Sequence, residues 1–440
     1  MKKNILPIFL CLLTLSCFGQ DISPYTVRGG IGNPFLVKDD YHTWVYLLNG
    51  LSGAEISYTS PNDTGTHVWY RYKEGTSDRT PVPPQQIQQT GNTYVITGVE
   101  DGYGYYVENS TDMSNHYLWI IDYSHYVPVL NSLKVEESDD KCEMIKLIID
   151  ITAPNLQYYS SAGKSLNVAR NYNLDYYTME WNGSVFVKDQ LKEEKISSPN
   201  GVSEFIVDPA PLQNTEFVFS GDQIAEHFGL KKSMNTPEYE AIAVKAEILT
   251  DTISTTADNE MMDANGSLSA PVNFTYTAYA NEPVATFYTW KVYNLDRSDT
   301  EPVSQTTSKT LNYTFDEVGR YQVDLEVSDS HSICTYKTTL SDIFVSDFML
   351  WVPNAFSPTT SPGVNDIFKV AYKSVIKFNG WIYNRWGNEL FHWSDPTQGW
   401  DGKYRGKYVP PGAYFYVIEA TSADGKKHIK KGDVNIVGGR

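Results

Sequence analysis

Apolar and polar residues alternate along most of the chain with the period of two that a β-strand requires. Between residues 21 and 132 the runs are short. Thr43-Trp44-Val45-Tyr46-Leu47-Leu48 stops at Asn49-Gly50, Ala54 to Tyr58 stops at the turn Ser60-Pro61-Asn62-Asp63, and His67 to Tyr72 stops near Gly75. Thr93 to Val99, Gly104 to Glu108 and Tyr117 to Tyr123 follow. Short strands broken by turn formers about every 8–12 residues predict a β-sandwich over 20–132.

A second sandwich is predicted over 133–255. Cys142 to Ile151 is nearly continuous apolar sequence and reads as a central strand. Tyr176 to Trp181, then Asn182-Gly183, then Val185-Phe186-Val187 reads as a hairpin with a type I′ turn. One short helix is expected, capped by Ser220, with Asp222 in its first turn and Gly229 at its end. The Thr- and Asp-rich stretch from Thr250 to Asp263 reads as a linker. Residues 264–347 form a third unit. Tyr288, Trp290 and Val292 share one face, as do Leu311, Tyr313 and Phe315, and after Gly319 so do Tyr321, Val323, Leu325 and Val327. The expected fold class is all-β: tandem immunoglobulin-like sandwiches followed by a C-terminal sandwich.

Two segments resemble known families. Tyr288-Thr289-Trp290, Tyr313-Thr314-Phe315 and Gly319-Arg320-Tyr321-Gln322-Val323 resemble a PKD domain, although Tyr293-Asn294-Leu295-Asp296 replaces the usual Gly-Asp-Gly segment. That resemblance implies a spacer or a binding surface. Residues 348–440 hold six motifs in order: Trp351 to Pro358, with Pro353, Asn354 and Phe356; Gly363 to Phe368, with Asn365 and Asp366; Trp381 to Asn388, with Asn384, Arg385, Trp386 and Gly387; Gly399 to Tyr404, with Trp400, Asp401 and Gly402; Pro410 to Ile418, with Pro411, Gly412 and Tyr414; and Lys431 to Ile436. Together they resemble the gliding motility-associated C-terminal domain, the type B sorting domain of the type IX secretion system of Bacteroidota. The resemblance implies export across the outer membrane, with the type IX machinery as partner. Thr360-Ser361-Pro362-Gly363 stands where the family has Asn-Gly-Asp-Gly, so no metal is carried over.

Composition narrows the remaining functions. The chain has 440 residues, 32 Tyr, 10 Trp and a formal net charge of −18. That charge disfavours nucleic acid and anionic lipid as partners. Lys2 and Lys3 followed by apolar Ile5 to Leu15 read as a signal peptide over 1–19, cleaved before Gln20, with acylation of Cys17 as the rival reading. No later stretch is apolar over 18 residues, so no transmembrane helix is expected. Cys142 and Cys334 lie in different predicted units, and the expectation is two buried thiols rather than a bridge.

No catalytic, cofactor-binding or metal-binding motif emerges. Gly163-Lys164-Ser165 lacks the first glycine of a phosphate loop, and His331 with Cys334 lacks further spaced ligands. Trp69, Tyr70, Tyr72, Tyr103 and Tyr105 are candidate ligand-facing aromatics, since exposed rings stack on sugars. Core packing is the alternative for each. The sequence reading is thus an exported, surface or secreted, binding or structural protein with a glycan or a host or matrix protein as candidate ligand. The rivals are an exported glycan hydrolase with accessory sandwiches, and a filament subunit.

Overall fold

The computed structural model describes residues 23–38, 43–61, 65–110, 116–136, 140–198, 201–252, 257–262, 266–298, 300–360 and 363–438. The expected signal peptide, Asn62 and Asp63 of the expected turn, and Ser361-Pro362 lie outside the described residues. Strands are the dominant regular structure of the described chain, with one short α-helix.

The first unit packs a four-stranded sheet (Tyr25–Arg28, Glu55–Thr59, Thr93–Thr97, Ile87–Thr90) against a six-stranded one. The larger sheet runs in the order Phe35–Lys38, Thr43–Leu48, Tyr117–Asp122, Tyr103–Asn109, His67–Tyr72, Thr80–Pro81. All six residues of Thr43–Leu48 are buried, which a half-exposed sheet does not allow. Trp44, Tyr46 and Leu48 enter the core between the two sheets. Val45 and Leu47 point the other way, into a second core that also holds Tyr72, Trp119, Leu156, Tyr158, Val168 and Ile224. The first and second units are therefore fused through a common apolar layer. Gly104 makes room for it, since a Cβ there would sit 2.2 Å from Tyr72 Cζ.

In the second unit, Val129–Glu136, Ile145–Thr152 and Glu204–Val207 face a sheet of Phe186–Ser198, Arg170–Trp181, Val218–Gly221 and Lys232–Asn235. Its core centres on Leu147, Tyr172, Leu174, Phe217 and Phe219. Strand Val129–Glu136 crosses the boundary expected at 132. The hairpin at Asn182 forms, and the Asn182 side chain accepts from Ser184 N and Val185 N at 3.0 and 2.9 Å. Gly183 has φ +97° whereas Ser184 does not share a positive φ, so the turn is not type I′. The helix runs Gln223–His227 and is capped by Asp222, not Ser220, which belongs to the preceding strand. Asp222 Oδ1 accepts from Ile224 N and Ala225 N at 3.1 and 2.8 Å.

Beneath that cap lies a fully buried ion pair between Arg170 and Asp222. Arg170 Nη2 also donates to the carbonyls of Tyr126 and Pro154, both at 2.7 Å. The Tyr123 hydroxyl donates to Asp222 Oδ1 at 2.6 Å. Burial and the bond to this carboxylate both push the Tyr123 phenol well above its ordinary pKa. The network thus ties the end of the first unit to the second.

The third unit begins earlier than expected. Strand Ala246–Thr252, assigned by sequence to the second unit and its linker, pairs with Val272–Ala280 of the third, which in turn pairs with Thr310–Phe315. The facing sheet holds Ser304–Thr306, Ala285–Asn294, Gly319–Asp329 and Thr335–Val345. The predicted inward set Tyr288, Trp290, Val292, Tyr321, Val323, Leu325 and Val327 is buried together. Asn259, also in the expected linker, donates to the carbonyls of Val370 and Pro396 at 2.7 Å each, so this part docks on the fourth unit. Residues 253–256 and 263–265 of that stretch lie outside the described residues.

The cysteine expectation is overturned. Cys142 and Cys334 form a disulfide with Cα atoms 5.4 Å apart. The turn before Ile145–Thr152 meets the hairpin end after Gly319–Asp329, where buried Asp329 accepts from Cys334 N at 2.6 Å and His331 N at 2.8 Å. Buried Asn281 adds bonds across the same junction, donating to Leu212 O at 2.8 Å and Ala243 O at 2.9 Å.

Two stability predictions follow from these junctions. Asp222→Ala leaves Arg170 buried and unpaired, and is expected to destabilise the fused first and second units by about 3–5 kcal/mol in chemical denaturation. Peptide mapping without reductant is expected to recover the Cys142–Cys334 cross-link, and reduction to lower stability by about 2–4 kcal/mol. Unbridged peptides would refute the junction.

Candidate functional site

The fourth unit builds its site from short turns on a rigid sheet. Gly412–Ser422 lies between Lys427–Ile436 and Val375–Tyr383, with Glu389–Trp393 at one edge and Ala355–Phe356 pairing in parallel at the other. Met349–Trp351 pairs with Ala371–Lys373 beside it. The motif residues divide by environment. Phe356, Trp400 and Tyr414 are buried in the core, with Trp400 rings 5.4 Å from both Phe356 and Tyr414. Trp400 Nε1 donates to Lys403 O at 2.9 Å and Tyr414 OH to Pro410 O at 2.7 Å, so each polar tip fixes a loop.

A second set shapes the chain. Pro353 is half-buried, and the carbonyl of exposed Asn354 accepts from Asn435 N at 2.9 Å. Asn365 adopts φ +56° and its carbonyl accepts from Ser357 N at 2.8 Å. Asp366 Oδ2 accepts from Gly363 N. Asp401 Oδ1 accepts from Lys403 N at 3.0 Å, and Asp401 Oδ2 pairs with Lys403 Nζ at 2.9 Å. Gly402 is buried at φ +76° with Pro358 Cγ 3.0 Å from where a Cβ would stand, so only glycine fits without strain. Asn384 Oδ1 accepts from Trp386 N at 3.0 Å and Asn388 N at 2.9 Å, and Gly387 closes this turn at φ +81°.

The Asn384 turn holds out the most exposed aromatic of the motif. Trp386 is 74% exposed, and the Arg385 guanidinium lies 4.9 Å from its ring centroid. Beside it runs an open groove of about 510 Å³, floored by Leu390, Val409, Pro410, Pro411 and Phe415, with Gly412 at its edge. The hairpin leading into Val409 adds two more such pairs: Lys403 with Tyr408 at 4.9 Å and Arg405 with Tyr404 at 5.2 Å. Sequence reasoning found Arg385 and Trp386 and took Tyr404 only as the last residue of its motif, but passed over Arg405 and Tyr408, although Tyr404-Arg405-Gly406-Lys407-Tyr408 carries a turn signal between aromatics.

The five candidate aromatics of the first unit divide between core packing and partial exposure. Trp69, Tyr72 and Tyr105 are buried in the cores, and burial pushes the Tyr105 phenol up to about 12. They cannot face a ligand. Tyr70 and Tyr103 are half-buried, and cations already lie over their rings: Arg79 over Tyr70 at 4.6 Å, and Arg71 and Lys73 over Tyr103 at 5.0 and 4.9 Å. Tyr70 also stacks on Tyr106 at 5.5 Å. Cys334, weighed with His331 as a metal ligand, is consumed by the disulfide. No three His, Cys, Asp or Glu gather as a metal cluster among the described residues.

The division within the motif is testable by stability. Trp400→Ala is expected to cost the fourth unit about 3–5 kcal/mol, as large core truncations do, whereas Trp386→Ala stays within about 0.5 kcal/mol. Equal losses in chemical denaturation would contradict the division.

Two family models match parts of the chain. Residues 134–236 match the family described as fibronectin type III domain (Fn3_FA), an identity that the alternation alone did not distinguish from other sandwiches. The chain is similar to the crystal structure of a tetra-tandem repeat in the extending region of a large adhesion protein, at 10% identity over 90% of this chain and 99% of that one, with a TM-score of 0.22. It is likewise similar to chicken CNTN1 FN1–FN3 domains, at 10% identity over 70% of this chain and 98% of that one, with a TM-score of 0.21. Both scores are too low to bear on function. The comparison with curated proteins finds no match. No helix among the described residues is long and apolar enough to cross a membrane. Residues 350–436 match the CHU_C type IX secretion signal domain, so the fourth unit is a type IX secretion signal that follows a fibronectin type III domain.

Proposed function

We propose that this is an exported binding or structural protein of a Bacteroidota bacterium, at the cell surface or secreted, delivered through the type IX machinery by its C-terminal unit. The observation that carries the reading is the match of residues 350–436 to the secretion signal domain, on a unit with its own core and sheet. The leader over 1–19 takes the chain across the inner membrane. The third unit acts as a PKD-like spacer. The first two units present the ligand surface, with a glycan or a host or matrix protein as ligand.

Binding is favoured over catalysis because fibronectin type III and secretion signal domains are non-catalytic kinds. A rigid fusion of two sandwiches also suits recognition, since little conformational freedom is lost on binding.

Deleting residues 348–440 is expected to leave the protein in the periplasm, measured by cell fractionation and protease accessibility on intact cells. Normal surface delivery of the truncated chain would overturn the reading.

A further inference from the structure

We propose that the end of the fourth unit formed by residues 384–388 and 403–411 is the face that an acidic protein surface of the outer-membrane export machinery grips. The proposal rests on the export reading above and adds the residues and the chemistry of recognition.

Three observations converge on this end. The first is composition. Trp386, Tyr408 and Tyr404 are 74%, 52% and 37% exposed, and each carries a cation over or beside its ring: Arg385, Lys403 and Arg405. Exposed Trp, Tyr and Arg together are the side chains that dominate binding energy at protein interfaces. Of these, Arg385 and Trp386 line the open groove of about 510 Å³, together with Val409, Pro410 and Phe415, and the hairpin of Tyr404 and Tyr408 leads directly into Val409.

The second is rigidity. Four hydrogen bonds close the Asn384 turn: two to its side chain and two through its backbone, Asn384 N to Asn388 O and Gly387 N to Asn384 O, both at 3.0 Å. The hairpin pairs Lys403 with Tyr408 and Tyr404 with Lys407 across a turn in which Arg405 and Gly406 both have positive φ, at +50° and +79°. That is the type I′ geometry of a tight hairpin. Aromatics on such turns meet a partner with little ordering left to do.

The third is charge. Residues 348–440 hold twelve Lys and Arg against seven Asp and Glu, a net of +5, in a chain whose formal net charge is −18. The preceding 347 residues therefore carry −23. On the proposed face Arg385, Arg405 and Lys407 have no ion-pair partner among the described residues, whereas Lys403 is held by Asp401. A cationic aromatic face at one end of an acidic chain is complementary to an acidic protein surface, and like-charge repulsion turns the rest of the chain away from it.

The test uses the full-length chain in a host with an active type IX system. Two double variants, Arg385→Glu/Arg405→Glu and Trp386→Ala/Tyr408→Ala, are compared with Ile429→Ala, an exposed apolar residue of the same unit outside the six motifs. The ratio of surface plus medium to periplasm is expected to fall by about tenfold or more in both double variants, the loss that accompanies removal of a central anchor. The Ile429→Ala chain is expected to behave as wild type, and Arg385→Lys/Arg405→Lys to keep most delivery. Unchanged unfolding midpoints of the purified variants separate lost recognition from misfolding. Normal delivery of both double variants, while the 348–440 deletion is retained in the periplasm, would overturn the face and leave the export reading intact. Normal delivery of the deletion would overturn both. Purified chain that binds vesicles of phosphatidylcholine with anionic phospholipid, and loses that binding in Arg385→Glu/Arg405→Glu, would reassign the face to a membrane and overturn the protein partner.

Discussion

The guanidinium of Arg170 and the carboxylate of Asp222 have both left water entirely, and the architecture of the N-terminal half depends on what surrounds them. A buried pair costs desolvation on both sides and persists only where further hydrogen bonds complete each group. Here those bonds come from separate stretches of chain: the Tyr123 hydroxyl, the carbonyls of Tyr126 and Pro154, and the first amides of the short helix. Each partner lies at the seam between the first and second units. The apolar layer around Trp119, Leu156, Tyr158 and Ile224 supplies the area, and the ion pair gives each buried charge its counter-charge, while Arg170 Nε finds no acceptor among the described residues.

Much of this fold is legible in the sequence because a sheet with one buried face writes itself as alternation. Tyr288, Trp290 and Val292 could be read inward and are inward. The same rule misleads where a sheet has two buried faces. Trp69 and Tyr72 stand on opposite sides of one strand, and both are buried because there is a core on each side. The continuous apolar run Trp44 to Leu48 was the available signal, since a strand covered on both faces can be apolar at successive positions. Read that way, it would have joined the first two units.

Other features had no local trace. The pairing of Cys142 with Cys334 depends on two loops of different units meeting in space, which neither residue's neighbours encode. The cap at Asp222 rather than Ser220 depends on Ser220 pairing in a strand with Asn173. In the secretion signal domain the motif residues were legible but their separate duties were not. Phe356, Trp400 and Tyr414 make the core, Asn384, Asp401 and Gly402 make the turns, and Arg385 with Trp386 is left facing solvent.

Were the chain held at one end and pulled at the other, the cross-link between positions 142 and 334 would decide which part of it bears the load. Tension entering at Cys142 passes straight to Cys334, so the 192-residue span between them carries none of it. Fully extended, such a span would reach about 650 Å at roughly 3.4 Å per residue. The bond withholds that slack. Most of the fibronectin and third sandwiches sit inside the shielded loop, so a pull that reached them would first have to break a covalent bond.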